Sequence, residues 1–370
     1  MKLVAVVVVA APLLFAFGRR LYRERRGGPL LAQVWVALSA TLLSLLVGSM
    51  LILAVGSSPL EVYRLLLAGT WGNLHGISQV FFKATPLALA GLSFTIAFRA
   101  GLFNIGIEGQ LTLGAFAMAL TGAYVRGPSW LVVPLCLVAG AVAGAVPAAL
   151  AGLFKATRGA HEVITTMMLN FVVRAAMVGV GPLVFVREST HTVPILAAAE
   201  LPRLSLYFPS LHGSALNAGL LIAVVAALLV GWLLWRTPLG FSLRAVGLGA
   251  DAAEASGVRT GRAIITAMAL SGAMAGLVGA SFVLGYKRYY EDGFSGGVGF
   301  MGIAVAVLGG ARPVGVLVAA LALGTLSEGG LCINSVVPKE IVDVLQATVI
   351  FAAVAMTPLS RRLFRLAEAT

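Results

Sequence analysis

Apolar runs of roughly 20 residues recur along most of this chain, and that is the length needed to span the hydrocarbon core of a bilayer. They fall at about 31–55, 77–98, 104–125, 129–154, 161–186, 216–235, 263–284, 294–311, 314–331 and 340–357. Each is continuously apolar, whereas the strands of a membrane barrel alternate, so the spans are read as helices. Composition agrees: 11% of residues are charged and the mean hydropathy is +0.99, while soluble domains carry roughly 25% charged residues. The expected fold is an all-α polytopic membrane protein with about ten transmembrane helices.

Residues 3–17 form a shorter apolar run, followed at once by Arg19, Arg20, Arg23, Arg25 and Arg26. A cleavable signal carries its charge before the apolar core. The order here fits an extra N-terminal membrane helix with its N-terminus outside. The chain therefore divides into this helix with a basic linker (1–30), a transmembrane domain (31–357) and a cytoplasmic tail (358–370).

Charge sets the orientation. If the first long span leaves the cytoplasm, the inside loops collect the Arg19–Arg26 cluster, Arg99, Lys155, Arg158, Arg236, Arg244, Arg259, Arg262, Arg312 and the Arg361–Arg365 cluster. The outside loops collect Arg64, Arg126, Arg187, Arg203, Lys287, Arg288 and Lys339. The inside excess is about two to one, as membrane proteins require. This accounts for the net charge of +12. Nucleic acid is excluded as a partner because no basic patch is interleaved with aromatics. Residues 236–262 then lie in the cytoplasm, and 187–215, broken by Pro194, Pro202 and Pro209, lie outside. Five spans on each side of that loop would run in opposite senses, the arrangement of an inverted repeat. Each half carries one glycine-rich broken segment, 100–115 and 293–310.

The first of those segments holds Asn104, Glu108 and Gln110 among Gly101, Gly106, Gly109 and Gly114. Irregular polar backbone at membrane depth survives only against protein or a water-filled cavity, and an ionisable residue there marks a functional site by default. The alternative role is to cap and satisfy a broken helix. Asn104 and Glu108 would share a face if helical. Asn170 and Arg174 are also four apart, near mid-span, and Arg174 needs a partner such as Glu108 or water. Thr165 and Thr166 are expected to bond back to their own helix. Phe94, Phe103, Phe294 and Phe300 either pack or stack on a planar solute. Cys136 and Cys332 make no metal spacing and are expected as buried small hydrophobes. The histidines form no ligand cluster, and no catalytic constellation is visible. In the cytoplasmic segment, Asp251 is expected to cap a two-turn helix over Ala252–Ala255 that stops at Gly257.

Three stretches together resemble the permease subunit of bacterial ATP-binding-cassette importers, in the branch serving ribose-type sugars, branched-chain amino acids and nucleosides. They are Gly101-Leu-Phe-Asn104-Ile-Gly106-Ile-Glu108-Gly109-Gln110, Ala252-Ala253-Glu254-Ala255-Ser256-Gly257, and Gly299 to Gly309 with Pro313 and Gly315. The stretch His161 to Asn170 is similar to the nucleoside-type version. Gly249 is a departure, standing where many relatives carry Asn. The resemblance implies a bacterial inner-membrane permease with a translocation pathway, for which the polar and aromatic candidates above are Asn104, Glu108, Gln110, Asn170, Arg174 and Phe300. It also implies a coupling segment at Asp251, Ala252, Ala253, Glu254, Ser256 and Gly257 that docks a cytoplasmic ATPase. A second permease chain and an extracytoplasmic binding protein or lipoprotein would complete the assembly. No nucleotide-binding Gly-rich loop with Lys-Ser/Thr is present, so ATP is expected to serve the partner and no cofactor is expected on this chain. Nucleosides are the expected cargo, with ribose-type sugars as the alternative. An ion-coupled transporter would have to rely on Glu108 and Glu328, and a membrane-embedded enzyme lacks its catalytic groups.

Overall fold

A computed structural model describes residues 45–208, 211, 213–338, 340–348 and 350–351. The N-terminal helix and the cytoplasmic tail expected from the sequence lie outside these residues. The described chain is helical: α1 (Leu45–Ala54), α2 (Pro59–Thr70), α3 (Leu74–Arg99), α4 (Ile107–Tyr124), α5 (Ser129–Arg158), α6 (Glu162–Val184), α7 (Gly219–Arg236), α8 (Pro238–Leu248), α9 (Ala250–Ala255), α10 (Thr260–Gly276), α11 (Val298–Leu308) and α12 (Pro313–Ile333). Helical residues follow at 340–348 and 350–351. Among the described residues of the outside segment 187–215 there are 3₁₀ turns at Ala197–Ala199 and Leu204–Leu206 and isolated bridges at His191, Thr192 and Arg203, and no long helix, as its prolines dictate.

Six helices are long and apolar enough to cross a membrane, α10 being continued through a π-helical segment to Lys287. Three expected spans differ from the sequence reading. The span expected at 104–125 is α4, which is not among those six. The span expected at 31–55 is described only at its end, α1, which stops at Ala54 and meets α2 at a bend of 115° over residues 55–58, where Gly56 has φ +83° and Pro59 opens the second helix. The span expected at 294–311 is the 11-residue α11, about 16 Å long and too short to cross alone. Positive φ at Gly293, Gly296 and Gly297 keeps the preceding residues from joining it.

Two compact units divide the chain. One holds residues up to Asn73 and those from Leu326 onward, and the other runs from Leu74 to Thr325. In the first, Ile52, Val62 and Leu66 pack with Ile333, Val337 and Val342. Cys332 is exposed, contrary to expectation, although its sulfur lies against Gly69. Cys136 is buried as expected.

The second unit is built around α3, whose residues from Ala84 to Ala97 are buried on all sides. A helix apolar all round is a central helix. It packs against α7, α10 and α11. Ser93 Oγ donates to the Ser271 carbonyl at 2.7 Å, and Ser271 Oγ returns a bond to the Ser93 carbonyl at 2.8 Å. Behind it, α5 and α10 cross backbone to backbone. Gly140 and Gly144 on α5 face Gly272 and Gly276 on α10, and a Cβ on Gly276 would collide with the Gly140 carbonyl. Lipid gives helices no hydrophobic reason to associate, so close glycine-lined approach supplies the contact.

Gly276→Ala should therefore lower stability by about 1–3 kcal/mol, the usual cost of overpacking. Gly179→Ala, where a Cβ meets nothing within 4 Å, should leave it unchanged. Thermal unfolding in detergent compares the two.

Candidate functional site

The chain leaves α3 through a Schellman turn. The Leu102 N–H donates to the Ala97 carbonyl and the Gly101 N–H to the Phe98 carbonyl, at 3.0 and 3.1 Å. Gly101 takes φ +74° in this turn, which a side chain would oppose. Residues 102–105 are then non-helical, and α4 begins at Ile107. Asn104 thus stands before α4, and does not share a helical face with Glu108 as the spacing suggested.

Both polar atoms of the Asn104 side chain are used. Its Oδ1 accepts from the Gly106 N–H at 2.9 Å and from Gln110 Nε2 at 3.0 Å. Its Nδ2 donates to Gln110 Oε1 and to Ser271 Oγ, both at 2.9 Å. Asn104 and Gln110 form a closed amide pair, buried and tied to the Ser93–Ser271 junction. Asn170 on α6 serves the same break from the other side. Its Oδ1 accepts from the Gly109 N–H at 2.9 Å, and its Nδ2 donates to the Ile105 carbonyl at 3.1 Å. Thr166 Oγ1 accepts from the Ile105 N–H at 3.3 Å while bonding back to the Glu162 carbonyl at 2.7 Å. Thr165 also bonds back to its own helix.

Glu108, the second residue of α4, reaches the start of α11. Its Oε2 accepts from the Gly299 N–H at 2.8 Å, and its Oε1 accepts from the Ser295 hydroxyl. Gly299 is the second residue of α11, and a Cβ there would lie 2.6 Å from the Glu108 nitrogen. Two helix N-termini therefore meet with one carboxylate between them, and negative charge is favoured at that end of a helix. The expected pair between Glu108 and Arg174 is not formed. Arg174 is exposed on α6 and makes no ion pair among the described residues.

Of the aromatic candidates, Phe94 packs edge-on against Phe103 at 4.8 Å, and Phe294 packs against Phe282 and Tyr290 at 5.4 and 5.7 Å. Phe300 is half exposed. Sequence reasoning missed Ser271 and Ser295, whose small hydroxyls carry no signal inside glycine-rich apolar runs. It also missed Asn217, which is buried and whose Oδ1 accepts from the Gly219 N–H at 2.9 Å. The repeated Asn-x-Gly pattern of 104–106 and 217–219 was the available signal.

At the far end of α7, Thr237 Oγ1 accepts from the Gly240 N–H at 3.1 Å and Pro238 opens α8, as a cap followed by proline should. The short helix α9 starts at Ala250, two residues earlier than expected, so Asp251 lies in its first turn and Gly249 is the N-cap. The expected stop is present. Gly257 has φ +86°, its N–H donates to the Glu254 carbonyl at 2.9 Å, and the Val258 N–H donates to the Ala253 carbonyl at 3.0 Å. Ala253 is buried, whereas Asp251, Ala252, Glu254, Ser256 and Gly257 are exposed.

A glycine-broken polar hub thus lies inside the helical bundle, and the exposed face of α9 lies outside it. Residues 76–354 match the family of the branched-chain amino acid transport system / permease component. The chain belongs to this family. The permease is 37% identical to the guanosine ABC transporter permease NupP of Bacillus subtilis, over 86% of this chain and 92% of the relative. It is 34% identical to the nucleoside ABC transporter permease NupB of Lactococcus lactis, over 86% and 90%. It is 32% identical to the glucose ABC transporter permease TsgB13 of Haloferax volcanii, over 85% and 87%. No solved structure matches it. The permease is thus a multi-pass cell-membrane protein and a transport component of an ABC importer, not an enzyme. Permeases of this family act with ATPase and substrate-binding partners.

Asn170→Ala removes the acceptor for Gly109 and the donor for Ile105, and should lower thermal stability by about 1–3 kcal/mol. Arg174→Ala should leave stability unchanged. A thermal melt of both variants in detergent checks the contrast.

Proposed function

We propose that this permease carries nucleosides, driven by ATP hydrolysed on a separate cytoplasmic ATPase. The observation that carries the cargo is similarity over 86% of this chain to two permeases named for guanosine and nucleosides, at 37% and 34% identity. Ribose-type or other simple sugars are the second reading, favoured by 32% identity to a glucose permease. The chain itself binds no cofactor. A second permease chain and an extracytoplasmic binding protein or lipoprotein complete the importer.

The ten-span arrangement as two inverted halves is part of this proposal. α4 and α11 belong to the third expected span of each half. Their N-termini meet at Glu108 and Gly299, the second residue of each. A two-fold axis in the membrane plane relates such a pair, and transporter sites form at broken helices of this kind.

Arg174 and Phe300 line the pathway. A cation near mid-span facing hydrocarbon costs several kcal/mol, so the exposed face of Arg174 meets water, solute or the second permease chain. Asn104, Gln110 and Asn170 are buried and hold the pathway wall, and Glu108 fixes α11 against it. The exposed face of α9, with Asp251, Ala252, Glu254, Ser256 and Gly257, docks the ATPase, and Ala253 anchors it to the permease.

In proteoliposomes containing all partners, nucleoside uptake should require hydrolysable ATP and a nucleoside-loaded binding protein. Uptake by this chain alone, driven by an ion gradient, would overturn the reading. Arg174→Ala should assemble normally and lower uptake by roughly tenfold, the scale of one lost charged hydrogen bond. Gly257→Val, forced into left-handed backbone at about 1–2 kcal/mol, and Glu254→Lys should each reduce co-purification of the ATPase while membrane insertion persists.

A further inference from the structure

The cytoplasmic segment touches the transmembrane bundle at an unusual place. Gly247, in the last turn of α8, lies directly on the backbone that ends α3. A Cβ on Gly247 would collide with the Arg99 carbonyl and lie 2.9 Å from the Gly101 nitrogen. A Cβ on Gly101 would lie 3.1 Å from the Gly247 Cα. No side chain of either residue cushions this crossing, so displacement of α8 is delivered to the main chain. Packed interiors transmit such shifts and do not absorb them.

The crossing sits at the entrance to the polar break. Gly101 is three residues before Asn104, whose amide pair with Gln110 sets the start of α4. Glu108 then passes the position of α4 to α11. The same end of α3 also holds the other end of α11. Arg99 Nε donates to the Ala311 carbonyl at 2.8 Å and its Nη2 to the Gly310 carbonyl at 3.1 Å. Those residues close α11 through bonds from the Ala311 N–H to the Ala306 carbonyl and from the Gly310 N–H to the Val307 carbonyl. The Arg99 guanidinium also lies 5.3 Å from the ring centre of Trp235, in the last turn of α7 just before α8. Residues 99–101 thus join the cytoplasmic segment, the chain leading into the broken helix α4 and the C-terminal end of α11.

We infer that the Gly101–Gly247 backbone crossing, bracketed by Arg99, is the point where movement of the cytoplasmic coupling segment enters the pathway. This rests on the permease reading above and adds positioning residues to it. A Cβ on Gly247 points at the Arg99 carbonyl and not at the exposed face of α9. Gly247 and Arg99 set how far a push on α9 moves α4 and α11.

The test uses the full importer in proteoliposomes with guanosine and uridine as probes. Gly247→Ala inserts one methyl at the crossing, away from the exposed α9 surface. It should leave ATPase co-purification and basal hydrolysis intact, and lower nucleoside-stimulated hydrolysis and uptake by about tenfold, within the usual range of coupling energies. Stimulated hydrolysis equal to wild type would overturn the inference. So would loss of ATPase co-purification from a folded variant, because the contact would then serve docking. Should the variant not fold, amide exchange on the wild-type complex decides. A non-hydrolysable ATP analogue should change exchange in residues 99–106 together with 247–257. A change confined to 247–257 would overturn the inference. A wild-type importer with no ATP-dependent uptake would instead count against the permease reading, and the exchange experiment would still judge the crossing.

Discussion

A backbone that leaves helical geometry inside a bilayer must find new hydrogen-bond partners within the protein, and this requirement organises the permease. Unsatisfied amides cost several kcal/mol in hydrocarbon. Between α3 and the first turn of α4 the backbone groups without a helical partner belong to Ile105, Gly106 and Gly109. Asn104, Asn170 and Thr166 meet them from three directions. Gln110 completes Asn104, and Ser271 ties the pair to α10. Removing any of these leaves another buried group without its partner, so they stand as one unit.

The hub explains why so few polar residues accomplish so much. Four helices, α3, α4, α6 and α10, are fixed by amide and hydroxyl groups, and α11 is held at its start by the carboxylate of Glu108 and at its end by Arg99. Elsewhere the bundle relies on close glycine contacts, as between α5 and α10. A polar centre and a glycine-lined seam are complementary devices. The first sets the register of the broken helices. The second lets backbones approach without any solvent-driven force.

Much of this was legible in the sequence. Apolar run lengths matched the six helices long enough to span, and the segment 236–262, read as lying on the same side as Arg99, meets the Arg99 end of α3 through Gly247. Gly257 was readable as a helix stop because only a left-handed residue closes that turn cheaply. The polar character of 100–115 was readable, but its division of labour was not. Asn104, Glu108 and Gln110 are all near one another in sequence, yet Asn104 and Gln110 face inward to each other while Glu108 reaches 191 residues ahead to Gly299. Spacing rules assume a continuous helix, and the break cancels them. The proposed Glu108–Arg174 pair failed for a related reason. The carboxylate is satisfied by a helix N-terminus, a partner that leaves no charged residue in the sequence to find. α11 was over-extended because glycine does not lower hydropathy enough to show that positions 293–297 are non-helical.

The central claim is that Asn104 and Gln110 act as one unit holding the break. A double-mutant cycle of Asn104→Ala and Gln110→Ala, read as unfolding free energy in detergent, tests it most directly. The account predicts non-additivity, with a coupling energy of about 1–2 kcal/mol, in the range seen for residues sharing one network. Strictly additive losses would mean that the two amides stabilise the protein independently, and would contradict it.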